Sequence, residues 1–120
     1  MVKRFAWSLS HAVRGLRTVW KEEHNFRIQT ACGTLVLGGA ALLGFSTLEI
    51  AALVIAVTLV LVGEVLNTAV EDLLNALPPH PSPAVGKIKD MMAGFVLVHS
   101  LGAAVIGALG AAHHFLPALR

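Results

Sequence analysis

Glu64, Asn67 and Glu71 stand at i, i+3 and i+7 in the run Glu-Val-Leu-Asn-Thr-Ala-Val-Glu. On a helix that spacing places two carboxylates and an amide along one stripe. The residues leading in, Ile50 to Val62, are apolar except for Thr58, so the stripe belongs to a helix that sits in lipid. An ionisable side chain near the bilayer centre costs about 2.5–3.5 kcal/mol on insertion scales, and such residues mark functional sites by default. Carboxylates and an amide near a water interface are hard oxygen ligands suited to Mg2+, which keeps several waters and binds phosphate oxygens as well. A deeper carboxylate can take a proton from a hydroxyl. With a lysine to neutralise phosphate charge, the set describes phosphoryl transfer, with a nucleotide on the water side and a lipid alcohol on the membrane side.

Composition supports a membrane setting. The chain has 120 residues, 56% of them hydrophobic and 13% charged, and its mean hydropathy is +0.75. These values lie outside the range of soluble domains, and the length suits one domain, residues 1–120. Long apolar stretches run over Ile28–Phe45, Ile50–Leu77 and Met91–Leu116, each close to or beyond the roughly 20 residues that cross a bilayer as a helix. Alternating period-2 segments are absent, which argues against a transmembrane barrel. The expected fold class is an all-α membrane protein, with an N-terminal amphipathic surface helix over about 3–24 and spans over about 26–45, 50–77 and 86–113.

The elements that position the stripe follow from local pattern. Phe5, Leu9, Ala12, Val13, Leu16 and Trp20 recur on one side of the first helix with basic residues opposite, the pattern of a helix lying in the interface. Gly15 is a candidate break or kink in it. Ser46-Thr47-Leu48-Glu49 fits a capping box for the second span. The run Pro78-Pro79-His80-Pro81-Ser82-Pro83 reads as a stiff loop before the third. Gly33, Gly38, Gly39, Gly44, Gly102, Gly107 and Gly110 permit close helix contacts in lipid, whether within one chain or between chains.

Charge sets the expected orientation. Lys3, Arg4, Arg14, Arg17, Lys21 and Arg27 precede the first span and Lys87 and Lys89 lie between the second and third, whereas Ser46–Glu49 carries no base. The positive-inside rule then puts the N-terminus in the cytoplasm and the C-terminus outside. At a rise of about 1.5 Å per residue, Glu64 lies roughly 21 Å and Glu71 roughly 31 Å along the helix from Ile50, against a hydrocarbon core of about 30 Å. Glu22, Glu23, Lys89 and Asp90 converge on the same face as Glu71.

Other chemistries find little support. Gly86-Lys87 is followed by Ile88, with Pro81 where a P-loop needs its first glycine. The single cysteine, Cys32, excludes an intrachain disulfide and a multi-cysteine metal site. His11, His24, His80, His99, His113 and His114 share no metal-ligand spacing and read as polar or interfacial residues. Lys3-Arg4 is followed by no continuous apolar core, so a cleaved signal peptide is not expected. The basic residues accompany no nucleic-acid-binding module, so nucleic acid is not expected as a partner.

Glu-Val-Leu-Asn-Thr-Ala-Val-Glu (64–71), Lys89-Asp90 and Glu-x-x-Phe-Arg (23–27) resemble the prokaryotic diacylglycerol kinase family, which includes undecaprenol kinases. The resemblance covers nearly the whole chain. It implies a homotrimeric kinase of the bacterial inner membrane, with active sites between protomers at the cytoplasmic interface, using ATP and Mg2+ and a membrane lipid alcohol as acceptor. Carried over by position, Glu64 matches the general base and Asn67 the polar residue beside the transferred phosphoryl group. Glu23 and Glu71 match the metal-coordinating acids, and Lys89 and Asp90 the pair that engages nucleotide. Arg4 falls near a basic position that reaches nucleotide. The chain departs from the family pattern at Asn75, where an aspartate is usual, at His80 in place of a glutamate and at Ile88 in place of an alanine. Asn25-Phe26-Arg27-Ile28 and Lys89-Asp90-Met91-Met92-Ala93-Gly94 lean toward the undecaprenol-type branch.

Plainer readings stand beside these. Glu22 or Glu23 can be solvated interfacial acids, and Lys89 a snorkelling anchor. Glu64 has the weakest plain reading, since a structural role still demands a buried partner. The competing function is a small proton-coupled cation or drug transporter with Glu64 as proton carrier. It leaves Asn67, Glu71, Lys89 and Asp90 at one interface without a reason.

Overall fold

The computed structural model describes residues 1–78, 82–116 and 118. Its order is α1 (Val2–Glu22), α2 (His24–Leu42), α3 (Thr47–Asn75) and α4 (Pro83–Phe115), with no strand among the described residues. The chain is all-α, and α3 is the element the others share. It packs against α1, α2 and α4, whereas α4 meets only α3 among the described residues.

α1 is amphipathic and runs through Gly15 without interruption, so the expected break falls instead at Glu23. There the backbone is extended (φ −101°, ψ 109°) and the chain turns directly into α2. Arg27 holds this corner: its Nη1 donates to the backbone oxygens of Trp20 at 2.7 Å and Lys21 at 3.1 Å. A guanidinium is well placed on the unpaired carbonyls that end a helix. Phe26 is buried beneath it, edge-on to Trp20 with ring centroids 6.2 Å apart.

α2 starts two residues earlier and ends three residues earlier than the expected span over 26–45. Two helices, α3 and α4, are long and apolar enough by themselves to cross a membrane, with mean hydropathies of 2.4 and 2.0. α2 falls short of that standard among the described residues because His24, Asn25, Arg27 and Gln29 occupy its first two turns. Gly44, at φ +75°, makes the turn out of α2, a backbone region open to glycine without strain.

The capping box at the start of α3 is present. Ser46 Oγ accepts from the Glu49 N–H at 3.3 Å and Glu49 Oε2 accepts from the Ser46 N–H at 2.7 Å. Pro83 is the first residue of α4 rather than part of the loop, a position where its missing N–H is no loss. Pro79, His80 and Pro81 lie outside the described residues.

Small residues set two close approaches. A Cβ on Gly33 would stand 2.6 Å from Val57 Cγ1, so α2 lies tightly on α3 there, and Gly63 leaves room for the His99 ring of α4. At the expected contact glycines Gly38, Gly39, Gly102, Gly107 and Gly110, an added Cβ would meet open space within this protomer. α4 buries no residue fully, and Val98 and Leu109 are among its exposed apolar side chains.

Candidate functional site

The buried end of the acidic stripe is built by α2 and α3 together. Glu64 is only 5% exposed. Gln29 Nε2 donates to its Oε2 at 3.0 Å, and Thr68, also buried, donates from Oγ1 to the Glu64 carbonyl at 3.0 Å. A buried charged or polar group requires such partners. The Thr68 bond is local to its own helix, so the carboxylate itself depends on Gln29. Sequence reasoning passed over Gln29 within an apolar run. The available signal was its type: an amide at membrane depth must find a polar partner, and Glu64 lies at matching depth.

Toward the water side the acids spread out. Asn67 is half-buried, Glu71 and Asp72 are exposed, and Glu23 is half-buried at the α1–α2 break. Burial pushes the Glu23 carboxyl above its ordinary range, and the negative charges of Glu64, Glu71, Asp72 and Glu22 push it further. The fold therefore gathers acids from two sequence regions around one spot. The Glu-x-x-Phe-Arg segment explains how: Phe26 is buried, Arg27 ties off α1, and Glu23 is presented at the break.

The remaining expected residues are present but not joined to this cluster in one protomer. Lys89 and Asp90 are exposed in the second turn of α4, and Arg4 is exposed in the first turn of α1. None of the three makes a hydrogen bond or ion pair among the described residues. α1 and α4 do not meet, so a single protomer does not bring Arg4 to Lys89. Asn75 ends α3 exposed, and Ile88 is exposed on α4.

Among the described residues, no three His, Cys, Asp or Glu side chains are arranged to hold a metal ion. Mg2+ does not require such a cage, since it is commonly bound by one or two carboxylates together with waters and substrate phosphates. The donor chemistry fits that mode, because Glu23 and Glu71 offer hard oxygens and the crowding of like charge at Glu23 favours a divalent cation.

The chain is thus a four-helix, all-α protein with two helices long and apolar enough to cross a membrane and a buried carboxylate at the head of an acid cluster. A model of the prokaryotic diacylglycerol kinase family matches residues 10–110. The chain is 32% identical over 105 residues to a diacylglycerol kinase of Synechocystis sp., covering 87% of this chain and 57% of that protein. It is 30% identical over 118 residues to an undecaprenol kinase of Bacillus subtilis, covering 98% of this chain and 93% of that one. This chain thus spans a little over half the length of the first relative and nearly all of the second. It belongs to the prokaryotic diacylglycerol kinase family, a family of membrane lipid kinases. Membership in a kinase family sets aside the transporter alternative.

Proposed function

We propose that the chain transfers the γ-phosphoryl group of ATP to the hydroxyl of a membrane lipid alcohol at the cytoplasmic face of the bacterial inner membrane. The observation that carries this reading is the buried Glu64 carboxylate in an acid cluster whose other members, Glu23, Glu71 and Asp72, are half-buried or exposed. Glu64 takes the hydroxyl proton, the alcohol oxygen bonds to the γ-phosphorus, and the bond to the β-phosphate oxygen breaks as ADP leaves. Asn67, one turn further toward water, lies beside the transferred group. Lys89 and Asp90 engage the nucleotide, with Glu71 shared between nucleotide and metal and Arg4 reaching the phosphates. Glu23 and Glu71 would hold Mg2+, which when bound offsets the phosphate charge.

The working form we propose is a homotrimer with sites completed between protomers. Support comes from α4, which buries nothing fully, and from α1 and α4, which do not meet in one protomer, so Arg4 and Lys89 are not brought together within it. In the bilayer α2 joins α3 and α4 as a third crossing, its polar first turns lying in the cytoplasmic headgroup region. The N-terminus is cytoplasmic and the C-terminus outside, by the distribution of bases.

Undecaprenol is the favoured acceptor, on the Asn25–Ile28 and Lys89–Gly94 segments, with diacylglycerol as the competitor. The deciding measurement offers radiolabelled ATP, Mg2+ and the two lipids side by side to the purified chain. Label is expected in the lipid fraction, more with undecaprenol. Label in neither lipid overturns the kinase reading, and a preference for diacylglycerol overturns the acceptor assignment.

A further inference from the structure

Among the described residues, Glu64 is offered a side-chain hydrogen bond by one partner. Its neighbourhood is acidic: Glu64, Glu71, Asp72 and Glu22 all act on the Glu23 carboxyl at the α1–α2 corner. From α4, the His99 ring closes on Gly63, the neighbouring position, while its Nδ1 is committed to the Phe95 carbonyl at 2.7 Å. Among the described residues, Gln29 is the one side chain that donates to the carboxylate.

The Gln29 amide turns its donor to this carboxylate. Its Oε1 is buried and has no hydrogen-bond partner among the described residues, whereas Nε2 donates to Glu64 Oε2. A hydrogen bond to an ionised acceptor is stronger than one between neutral groups, so the amide turns its donor to the carboxylate and leaves its own oxygen unpaired. The residue type fits this task. A glutamate at 29 would add another acid to an already acidic site, and an apolar residue would leave Glu64 without a donor.

Gln29 also stands where the acceptor would arrive. With Gly33 on α2, Val57 and Val60 on α3, and Ala103 and Ala104 on α4, it lines an otherwise almost wholly apolar cavity of about 310 Å³. The amide is thus the polar part of an apolar cavity wall and, among the described residues, the one side-chain donor to the carboxylate.

We propose that Gln29 is the positioning residue of the base. By holding Oε2 it fixes the Glu64 carboxylate in one orientation and leaves Oε1 to receive the acceptor hydroxyl's proton. This inference rests on the lipid-kinase reading and concerns orientation of the base, not binding of either substrate.

The test uses the purified full chain in its native oligomer, with ATP and the better of the two lipids. Gln29→Met keeps side-chain length and removes the donor. Gln29→Asn keeps an amide in the wall but is one methylene too short to reach. Both should lower kcat roughly 10–100-fold, the range of coupling between contacting groups, with KM for ATP and for lipid changed less than about twofold. In a Glu64→Gln background, Gln29→Met should change the residual rate less than about twofold, because there is no base left to orient. A full additional loss in the double variant, an unchanged kcat in Gln29→Asn, or a rise in lipid KM alone overturns the proposal and leaves Gln29 as cavity wall. Failure of the unmodified chain to label either lipid would instead defeat the kinase reading itself.

Discussion

α3 carries two glutamates with opposite fates, one in its first turn and one past its middle. Glu49, in the first turn, has both carboxylate oxygens engaged. Oε2 accepts from the Ser46 N–H at 2.7 Å, and Oε1 lies 2.8 Å from His113 Nδ1 on α4. His114 Nδ1 stands 3.8 Å from Oε2, with its ring stacked on Phe45 at 4.1 Å. Glu64 is deeper, yet one donor reaches one of its oxygens and the other accepts nothing among the described residues. Burial raises the need for partners, so a purely structural Glu64 should be the better satisfied of the two. It is the worse satisfied. A carboxylate saturated by its own fold ties helices together, and one with spare acceptor capacity suits the base role proposed for it.

The comparison breaks most sharply at Glu64. The Glu64→Gln variant should keep its oligomer and ATP affinity but lose about 10²–10⁴-fold in transfer rate, the usual loss on removing a general base. Initial rates at saturating ATP and lipid check this. Near-normal rates in a folded variant would move Glu64 into the same structural class as Glu49.

A middle-sized effect is expected at Glu23, where crowded charge should answer to a cation. Its carboxyl is held above the ordinary range by burial and then by neighbouring acids, so the folded state favours its protonated form. This contribution to stability is present below the ordinary glutamate pKa and is lost as pH rises through the raised folded value. In the proposed site Mg2+ binds the ionised form, which should cancel that loss. Melting curves across this pH window, with and without Mg2+, should diverge as pH rises for the natural chain and coincide for Glu23→Gln. The same variant should need roughly tenfold more Mg2+ for half-maximal transfer, equivalent to about 1.4 kcal/mol. Identical Mg2+ dependence would remove Glu23 from the metal site.

Glu49 should give the smallest effect and no catalytic one. Glu49→Gln keeps one acceptor oxygen and gives up part of one hydrogen-bond set, so only a small loss of stability is expected. A slightly lower melting midpoint with unchanged kcat and KM is the expected result. A large fall in kcat would show that the far end of α3 and α4 is coupled to the chemistry.

Much of this arrangement was legible in the chain. The capping box follows from Ser46 and Glu49 being three apart, because cap geometry is local. The helical stripe of Glu64, Asn67 and Glu71 is periodicity alone. Other features were misread where two local signals competed. Gly15 does not break α1, because one glycine costs only about 1 kcal/mol in a helix and the amphipathic pattern continues past it. Pro83 opens α4 instead of closing the loop, because proline is as suited to a first helical turn as to a turn between helices.

What the sequence by itself determined was therefore what depends on neighbours in the chain: helix-forming segments, their caps, the membrane-compatible apolarity of α3 and α4, and the family that the acid motif marks. What only the tertiary structure decided was partnership across helices. Gln29 and Glu64 are 35 positions apart, and His113 and Glu49 are 64 apart. Helical periodicity says which face a residue occupies but not which foreign side chain meets it. That depends on crossing geometry, set here by close approaches such as Val57 on Gly33 and His99 on Gly63. The physical reason is that hydrogen bonds to a buried carboxylate are short-ranged and directional, so a donor's identity emerges only once packing has fixed distances to within an ångström.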